Sequence, residues 1–344
     1  MEKEEAGGGR ERRTDGAEGR EGELALEGLY RTERSSVFRA AYRMLGSVAD
    51  AEDVTQELFA DLHAGGLPEL RSSRAYLVRA AVNRSLKLLG SARRRRERYA
   101  GEWLPEPLPD PDGPELPEQA AEQRERLTYG FMTLLEQLTP TERAVLVLHE
   151  AYGYAYEEIA IMLGKTPAAC RQHGSRAKRK LSRARGEKEE AAADRKESRA
   201  GRAAVSMKPQ EEDEADAARG GAAREQLIAR FVEAFERARV EELRELLSDD
   251  AVLVTDGGGK VRAAMRPIVG KERVLSFLAS PKILHSARAA LKRLVRLNGE
   301  PQLLLLAKPG EAESILCLEA DASGTRIRKL YLIRNPDKLA HVKA

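Results

Sequence analysis

The chain has 344 residues, of which 33 % are charged and 5 % aromatic, and a formal net charge of +3. This length allows two or three domains with separate cores. The two cysteines, Cys170 and Cys317, are too far apart to suggest a disulfide framework or a zinc site, and neither a signal peptide nor a run of eighteen apolar residues is present. We therefore expect a soluble, cytoplasmic, largely helical protein.

The N-terminal part predicts a tail followed by three helices. Residues 1–23 are mostly Gly, Glu and Arg with little to bury, which indicates a disordered tail. Residues 24–98 show helical periodicity, with a first helix ending at Gly46 and a second carrying the apolar stripe Val54, Leu58 and Leu62. The third runs from about Ser73 to Leu89 and leads into an arginine-rich stretch. These helices would form one domain.

The second of these helices is acidic and the third is basic. The polar face of the second helix consists of Asp50, Glu52, Asp53, Gln56 and Glu57. The basic stretch contains Arg93, Arg94, Arg95 and Arg96. Taken alone, each is typical of a solvated helix surface. Their order, ahead of a helix-turn-helix, favours a protein-binding surface followed by a nucleic-acid-binding one.

Residues 99–120 predict an extended spacer between domains. Prolines at positions 105, 107, 109, 111, 114 and 117 exclude a helix or a central strand. A plain interdomain linker explains most of this composition. However, the single tryptophan of the chain, Trp103, lies here, and we expect it to dock on another surface rather than remain exposed.

Residues 121–186 predict a helix-turn-helix domain. Thr139 before Pro140, with Glu142 three residues after the threonine, forms a capping box with proline at the first helical position. Thr166 and Pro167 repeat the cap for a basic last helix, and Gly164 supplies the turn. Apolar or small residues occupy the expected core positions Ile159, Ala160, Leu163 and Cys170. This layout places one helix in a DNA major groove.

The charge of the last helix fits DNA binding, whereas two of its residues fit poorly. Lys165 and the basic residues from Arg171 to Arg185 have no acidic residue between them, which suits phosphate neutralisation. The alternative is a solvated basic face on an ordinary helical hairpin. His173 stands where an aliphatic side chain is usual, and Gly174 costs a helix interior about 1 kcal/mol relative to alanine.

The remainder of the chain predicts a flexible connection and an α+β domain. Residues 187–223 are rich in Ala, Glu and mixed charge, which indicates a charged, disordered linker. From residue 224, two or three helical patterns are followed by period-two alternation in AVLVT, LKRLVRL, QLLLLAK, SILCLEA and IRKLYLIR, with a short helix at Arg273–Leu278. Residues 224–344 therefore predict helices followed by a curved antiparallel sheet.

Two short motifs in this domain have alternative explanations. The motif DGGGK, residues 256–260, is consistent with a hairpin turn, but three glycines also allow a close backbone approach to a partner. The motif NPDKL, residues 335–339, is equally consistent with a capped turn. The acid–base chemistry of this domain is limited to His285 and Asp256, whose spacing gives no sign that they meet. A structural histidine is the simpler interpretation.

The motifs together resemble a known family. Residues 24–186 are similar to extracytoplasmic-function (ECF) sigma factors of RNA polymerase. DAEDVTQELF resembles the region-two helix that docks on the polymerase clamp. RAYLVRAAVNRSLKLL resembles the helix that reads and melts the minus-ten element. YEEIAIMLG and the helix after it resemble region four, which reads the minus-thirty-five element. WLPEP, DGGGK and NPDKL resemble motifs of the subgroup with a C-terminal SnoaL-like domain, an α+β cone that regulates the sigma domains by contact.

The resemblance implies a multidomain fold of two all-α sigma domains followed by the SnoaL-like cone, and three sets of site residues. Core polymerase would bind Asp50, Glu52, Asp53, Gln56 and Glu57. Promoter DNA would bind Asn83, Arg84, Arg93, Arg94, Arg95, Arg96, Lys165, Arg171, Gln172, Arg176, Lys178 and Arg179. The intramolecular regulatory contact would use Trp103, Leu104, Pro105, Asp256, Gly257, Gly258, Gly259, Lys260, Asn335, Pro336, Asp337, Lys338 and Leu339.

The resulting hypothesis is a non-enzymatic promoter-specificity subunit without catalytic residues, metal or cofactor. We expect it to be monomeric outside the holoenzyme and not to bind membranes. One alternative is a one-component DNA-binding sensor or enzyme that uses the SnoaL-like domain to bind or convert a small molecule. A conventional repressor is a further alternative, but it gives the acidic helix DAEDVTQELF no role.

Overall fold

A computed structural model describes residues 11–65, 72–97, 99–110, 127–185, 214–308, 311–321 and 323–342. The first helical domain consists of α1 (Glu11–Leu45), α2 (Val48–Gly65) and α3 (Ser73–Glu97). Gly46 ends α1 with φ of 65°, a left-handed conformation that glycine adopts without strain. Within the described ranges, no helix combines the length and apolar character needed to cross a membrane.

The second helical domain contains the predicted helix-turn-helix. Its helices are α4 (Tyr129–Leu135), α5 (Pro140–Leu146), α6 (Tyr156–Leu163) and α7 (Pro167–Arg185). A single π-helical turn, Val147–Ala151, continues α5. The two helical domains share one apolar core, which includes Met44 and Leu77 of the first and Leu135, Leu148 and Leu181 of the second. They are therefore packed against each other.

The C-terminal domain begins with helices and ends with a mixed sheet. In chain order its elements are α8 (Glu214–Glu236), α9 (Val240–Leu246), β1 (Leu247–Asp256), β2 (Ile268–Val269), α10 (Lys271–Leu278), α11 (Pro281–Ala289), β3 (Leu291–Leu297), β4 (Glu300–Lys308), β5 (Glu311–Ala320), β6 (Ile327–Ile333) and α12 (Pro336–Leu339). The strand order is β2-β1-β6-β5-β4-β3. The predicted antiparallel sheet is wrong at one pair, because β1 and β6 are parallel, whereas the other pairs of the described strands are antiparallel. The long connection between β1 and β6 permits this parallel pairing. The predicted fold class, two helical domains followed by an α+β domain, is confirmed.

The sheet has a different neighbour on each face. One face packs on helices α8–α10 through residues such as Phe231, Leu243 and Val274. The other face, which includes Leu304 and Tyr331, forms a core with Leu104 of the linker and Tyr129 of α4. The linker and the helix-turn-helix domain thus cover a surface that the isolated C-terminal domain would expose.

Two segments predicted to be disordered are partly helical. Helix α1 begins at Glu11, inside the tail expected over residues 1–23, and α8 begins at Glu214, inside the linker expected over residues 187–223. Both extensions are rich in Glu, Arg and Ala, which are strong helix formers and add turns at little cost once an adjacent segment has nucleated the helix. The remaining residues of both segments, 1–10 and 187–213, lie outside the described residues.

Candidate nucleic-acid interface and its linker contacts

The acidic residues of α2 lie on the solvent side of that helix. Val54, Leu58 and Leu62 are buried in the core. The polar residues Glu52, Asp53, Gln56 and Glu57 are exposed and Asp50 is half-buried. The helical period therefore places one acidic face of α2 where a partner protein can reach it.

Two of the six predicted DNA-contacting residues on helix α3 make contacts within the protein. Asn83 is half-buried, and its Nδ2 donates to the carbonyl oxygen of Met162 in α6 at 3.0 Å. Arg84 pairs with Asp61 of α2 at 2.5 Å. The side chains of Arg93, Arg94, Arg95 and Arg96 lie outside the described residues, although α3 continues through these positions.

The helix-turn-helix has the predicted local geometry. Thr139 and Glu142 form the complete capping box, and Pro140 occupies the first helical position of α5. The backbone N–H of Ala169 donates to Thr166 Oγ1 at 3.2 Å, which caps α7. Gly164 adopts φ of 61° between α6 and α7. These predictions are confirmed. Each cap or turn involves residues fewer than five positions apart, so the local sequence is sufficient to specify it.

The predicted DNA-contacting residues in and just before α7 differ in their surroundings. Lys165, Gln172, Arg176 and Arg179 are exposed. Arg171 is also exposed and forms a solvent-facing ion pair with Glu157 at 2.8 Å. Lys178 differs from the others because its Nζ lies 2.5 Å from the buried carboxylate of Glu150, which ties α7 to the π-helical turn. This contact supports the scaffold rather than a free DNA-facing charge.

Gly174 and His173 have different structural consequences. A Cβ atom at position 174 would lie 2.7 Å from Tyr156 Oη, so glycine permits α6 to approach α7 closely. The Tyr156 ring in turn stacks on His149 with a centroid separation of 4.4 Å. His173 is half-buried, and its Nδ1 has no hydrogen-bond partner among the described residues. Burial lowers the pKa of His173 below its ordinary value.

The linker runs between the three domains. Trp103 approaches Gly46 of the first helical domain, where an added Cβ would lie 3.1 Å from Trp103 Cη2. On its other side, Lys338 Nζ lies 4.0 Å from the Trp103 ring centroid. The Pro105 carbonyl oxygen accepts a hydrogen bond from Tyr129 Oη at 2.8 Å. The tryptophan thus docks within the chain itself.

A buried carboxylate anchors the linker to the C-terminal domain. Asp256 is 1 % exposed, and its carboxylate accepts hydrogen bonds from Tyr99 Oη at 2.6 Å, the Leu104 backbone N–H at 2.9 Å and Lys338 Nζ at 2.7 Å. Lys338 also donates to the Leu104 carbonyl oxygen. Asn335 Nδ2 donates to Tyr99 Oη at 2.7 Å. We call Tyr99, Leu104, Asp256, Asn335 and Lys338 the Asp256 cluster.

The electrostatics of this cluster follow from its burial. The Lys338 ammonium is 4 % exposed and is balanced by the Asp256 carboxylate and by the faces of two aromatic rings. Burial and the adjacent Asp256 carboxylate raise the pKa of Tyr99, so its hydroxyl remains a hydrogen-bond donor at neutral pH. Contacts from the linker therefore offset part of the cost of burying the Asp256 and Lys338 charges.

The glycines of DGGGK allow this close approach. Gly258 and Gly259 have φ of 63° and 72°. A Cβ at position 258 would lie 2.4 Å from Asn335 Nδ2, and one at position 259 would lie 3.2 Å from Ala100 Cβ in the linker. A Cβ at Gly257 would lie 2.0 Å from the Val261 carbonyl oxygen, within the turn. The loop is not a tight hairpin, because β1 pairs with β2 at Val252–Val269, well before the loop.

DGGGK and NPDKL also contact each other directly. Lys260 pairs with Asp337 at 2.7 Å on the surface, while Asp256 pairs with Lys338 beneath it. Leu339 is buried against the linker side of the sheet, and Pro336 begins helix α12 at its exposed first position. The structure thus brings together members of all three predicted contact motifs.

A second contact connects the linker to the first helical domain and to the C-terminal domain. Asn298 Oδ1 accepts from the Leu108 N–H at 3.0 Å, and Asn298 Nδ2 donates to Tyr42 Oη at 3.1 Å. Tyr42 Oη donates to the Glu106 carbonyl oxygen at 2.6 Å. The Glu106 carboxylate accepts from the Val48 N–H at 2.6 Å, at the start of α2. One chain of hydrogen bonds therefore links α1, α2, the linker and the β3–β4 turn.

Sequence reasoning missed Tyr42, Tyr99, Glu106 and Asn298. Tyr42 looked like an ordinary core residue, and Tyr99 follows the arginine stretch without any motif. Glu106 lies within the WLPEP motif, which marks the linker but not this contact. Asn298 carries a local signal, because the Asn298-Gly299 pair marks a two-residue hairpin. That signal predicts the turn but not its partner in the linker.

The proposed acid–base pair is not joined in the structure. His285 is exposed on α11, and no hydrogen bond among the described residues connects it to Asp256, which is bonded to Lys338 and Tyr99 instead. Likewise, no group of three or more His, Cys, Asp or Glu side chains within the described ranges is arranged to hold a metal ion.

Two family models match the helical part of the chain. Sigma-70 region 2 matches residues 29–95, which correspond to α1–α3. Sigma-70 region 4 matches residues 130–181, which correspond to α4–α7. The acidic helix and the helix-turn-helix thus occur within two recognised sigma-70 regions, in the expected order.

Similar proteins extend the match over most of the chain. The ECF RNA polymerase sigma factor SigJ of Mycobacterium tuberculosis is 28 % identical over 315 residues, covering 89 % of this chain and 90 % of that protein. SigE of Mycolicibacterium smegmatis is 34 % identical over 166 residues, covering 44 % of this chain and 58 % of that protein. The crystal structure of SigJ matches the fold with a TM-score of 0.65 at 24 % identity, covering 90 % of this chain and 97 % of that one. The chain thus contains sigma-70 regions 2 and 4 followed by a C-terminal α+β domain, and over most of its length it is similar to an ECF RNA polymerase sigma factor.

Proposed function

We propose that this protein binds core RNA polymerase and directs promoter-specific transcription initiation, and that its C-terminal domain modulates this activity. The observation that carries the proposal is the presence of sigma-70 regions 2 and 4, in order, in one chain. The domain boundaries 24–98, 121–186 and 224–344 and the individual site residues belong to this proposal. Work with core polymerase would place the protein in the cytoplasm.

The polymerase-binding role is assigned to the exposed face of α2. Its carboxylates can pair with a basic polymerase surface without displacing any core residue, because Val54 and Leu58 remain buried beneath them. The DNA-binding role is assigned to α3 and α7. Lys165, Arg171, Gln172, Arg176 and Arg179 all lie on the exposed side of the helix-turn-helix.

The observed packing represents a closed state. Three hydrogen bonds hold regions 2 and 4 together. Asn83 Nδ2 donates to the Met162 carbonyl oxygen, and Arg143 Nε donates to the Arg43 carbonyl oxygen at 2.7 Å. Tyr152 Oη donates to the Ser36 carbonyl oxygen at 3.0 Å. The minus-ten and minus-thirty-five elements are about 85 Å apart on duplex DNA, at about 3.4 Å per base pair. One compact body cannot reach both, so promoter binding requires the two regions to separate.

The linker contacts provide the basis for regulation. The C-terminal domain holds the linker through the Asp256 cluster and through Asn298, and the same linker connects regions 2 and 4. A change in these contacts therefore changes the separation that the two regions can reach. The protein has no bond-making chemistry in this mechanism. The Asp256 carboxylate is bonded to Lys338, which supports the proposal that it is not a catalytic base.

Co-purification with core polymerase tests the central proposal. We expect the full-length protein to bind core enzyme and to start transcripts at specific promoters. The Asp53→Lys/Glu57→Lys variant should lose core binding, whereas Glu241→Lys/Glu245→Lys, on helix α9 of the C-terminal domain, should retain it. Failure of the unmodified protein to bind core enzyme would overturn the proposal. Tight binding to duplex DNA without polymerase would favour a conventional repressor.

A second experiment separates regulation from initiation. We expect full-length Lys338→Met to bind core enzyme normally but to change transcript output, because Lys338 contacts the Leu104 carbonyl oxygen and the Trp103 ring of the linker and lies far in sequence from the exposed face of α2. Output identical to that of the unmodified protein would show that the C-terminal domain does not regulate initiation.

A further inference from the structure

The C-terminal domain contains a cavity of about 270 Å³ beside the Asp256 cluster. Thr255 of β1 and Leu332 of β6 form one side, and Phe277 and Ile283 of α10 and α11 form the other. Its other lining residues are Arg262, Ala263, Ala264, Ser280, Lys282 and Arg334. Because pockets for drug-sized molecules span roughly 300–1,000 Å³, a space of this size suits a small ligand.

The cavity combines apolar walls with positive charge. Phe277, Ile283 and Leu332 supply the walls, while Arg262, Lys282 and Arg334 supply three cations. None of the lining residues that the structure describes is acidic. Cavities of this composition bind ligands that have an apolar body and a negative end.

The neutral polar groups of the cavity are already used within the protein. Thr255 Oγ1 accepts from the Ala264 N–H at 2.7 Å and donates to the Ala264 carbonyl oxygen at 3.1 Å. Ser280 Oγ donates to the Phe277 carbonyl oxygen at 2.7 Å. These groups therefore shape the cavity, and the selection of a polar ligand group falls to the cations.

The cations differ in how far they are neutralised. Arg334 donates to the Arg262 carbonyl oxygen at 3.1 Å, and its guanidinium lies 3.7 Å from the carboxylate of Glu313. Arg262 and Lys282 are exposed, and no carboxylate within the described ranges lies within ion-pair distance of either. Two cations therefore remain for a ligand, and the apolar walls favour an anion that carries an apolar body.

We infer that this cavity binds a small carboxylate with an apolar body, such as a medium-chain or aryl-substituted acid. The carboxylate lies between Arg262 and Lys282 at the mouth, where water can still stabilise the charges. The apolar body occupies the space between Phe277, Ile283 and Leu332. This ligand class is independent of the proposed role in initiation.

The position of the cavity couples the ligand to the linker. Thr255 and Arg334 directly precede Asp256 and Asn335 in the chain. The backbone N–H groups of Arg334 and Asn335 both donate to the Asp256 carbonyl oxygen, at 2.7 and 3.1 Å. A ligand that fixes Arg334 therefore also fixes the backbone that carries the Asp256 cluster. By linkage, docking of the linker and binding of the ligand affect each other equally.

Isothermal titration calorimetry on the full-length protein tests the site, with octanoate as the probe. We expect one octanoate per chain with a dissociation constant below about 1 mM. Octanamide, which lacks the charge, and inorganic phosphate, which lacks the apolar body, should each bind at least about tenfold more weakly. Equal affinity for octanamide, or for phosphate, would overturn the inferred ligand class.

Variants of exposed residues locate the binding site. Arg262→Gln/Lys282→Gln should weaken octanoate binding by about tenfold or more, since both charges leave the cavity mouth. Arg266→Gln, an exposed arginine on the same loop but outside the lining, should bind octanoate normally. Circular dichroism should show that all variants fold. Absence of saturable octanoate binding, or unchanged binding by the double variant, would overturn the inference.

The single tryptophan reports the coupling. Because Trp103 contacts Lys338, octanoate should shift its fluorescence emission with the dissociation constant found by calorimetry. The Arg262→Gln/Lys282→Gln variant should require a correspondingly higher octanoate concentration. Saturable binding with no change in Trp103 emission would overturn the coupling between the cavity and the linker.

Discussion

Single residues decide how firmly the linker is held, and the Asp256–Lys338 pair is the main example. Both side chains are at least 95 % buried, since Asp256 and Lys338 have 0 % and 5 % of their side-chain surface exposed. The surface pair Lys260–Asp337 joins the same two loops, with 56 % and 65 % exposed. Removal of one partner lowers the free energy of unfolding much more for a buried ion pair than for an exposed one.

We predict that Lys338→Met lowers the free energy of unfolding by about 3–5 kcal/mol, because it leaves the Asp256 carboxylate buried without its counter-ion. Lys260→Met should cost no more than about 1 kcal/mol, because its pair is exposed. Urea unfolding followed by Trp103 fluorescence measures both. Similar losses for the two variants would contradict the central role of the buried pair. Asp256→Asn combined with Lys338→Met should cost less than the two single losses added together.

The glycine at position 258 allows a second residue-level prediction. Gly258→Ala places a Cβ in a left-handed conformation and 2.4 Å from Asn335 Nδ2. Gly324→Ala has the same backbone strain at φ of 69° but meets no atom within 4 Å. Gly324→Ala should lose about 1–2 kcal/mol of stability from the backbone strain alone, and Gly258→Ala should lose more, because its Cβ also displaces Asn335. Only Gly258→Ala should also shift Trp103 emission, since only it displaces Asn335. Equal emission spectra would refute this interpretation.

Among the elements, helix α7 combines a DNA-facing surface with an imperfect core position. His173 is buried enough to disfavour its charged form, and burial lowers its pKa below the ordinary value of 6.5. The unfolded chain therefore binds the proton more readily. The contribution of neutral His173 to stability is fully present above about pH 6.5 and is lost as the pH falls through the lower pKa of the folded state.

We predict that His173→Leu reduces the loss of thermal stability between about pH 7.5 and about pH 5, because leucine carries no proton. His63→Gln, an exposed histidine on α2, should leave this pH dependence unchanged. Melting temperatures of the three proteins across this range provide the measurement. Parallel pH profiles for the unmodified protein and His173→Leu would contradict the prediction.

Elements with local signals are the part of the fold that could be predicted from the sequence. Thr139, Thr166 and Gly164 act on neighbouring backbone groups, and the helices of region 4 follow from them. The period-two segments likewise became strands β1 and β3–β6. By contrast, the Tyr42–Asn298 contact joins residues 256 positions apart, and no local pattern encodes such a pairing. The contact motifs could be recognised, but the buried ion pair between them could not.

At the scale of the whole molecule, the three parts form one closed assembly. Regions 2 and 4 share a core, and the sheet packs against the linker and α4. Hydrogen bonds to the linker backbone add to these apolar contacts between the parts. Binding of polymerase and promoter would favour the separated state.

We predict that this separation can be observed by energy transfer between dyes at Ala25→Cys on α1 and Ser175→Cys on α7. Both positions are exposed, whereas the native Cys170 and Cys317 are buried and should react slowly. Transfer should be efficient in the free protein and fall when core polymerase and promoter DNA are added. Lys338→Met should lower transfer in the free protein, while Lys260→Met should not. Unchanged transfer in the promoter complex would show that the closed packing persists during initiation.

The Glu106 contact has a consequence for how mutations in the linker are interpreted. Its carboxylate accepts from the Val48 N–H at the start of α2, the helix whose outer face is assigned to polymerase. Replacing Glu106 with glutamine would remove the negative charge that stabilises this helix end, by about 0.3–1 kcal/mol. Such a variant would bind polymerase more weakly although no residue of the binding face had changed. In this protein, a linker residue can therefore resemble a polymerase contact in a mutational scan while its carboxylate acts only as a helix cap.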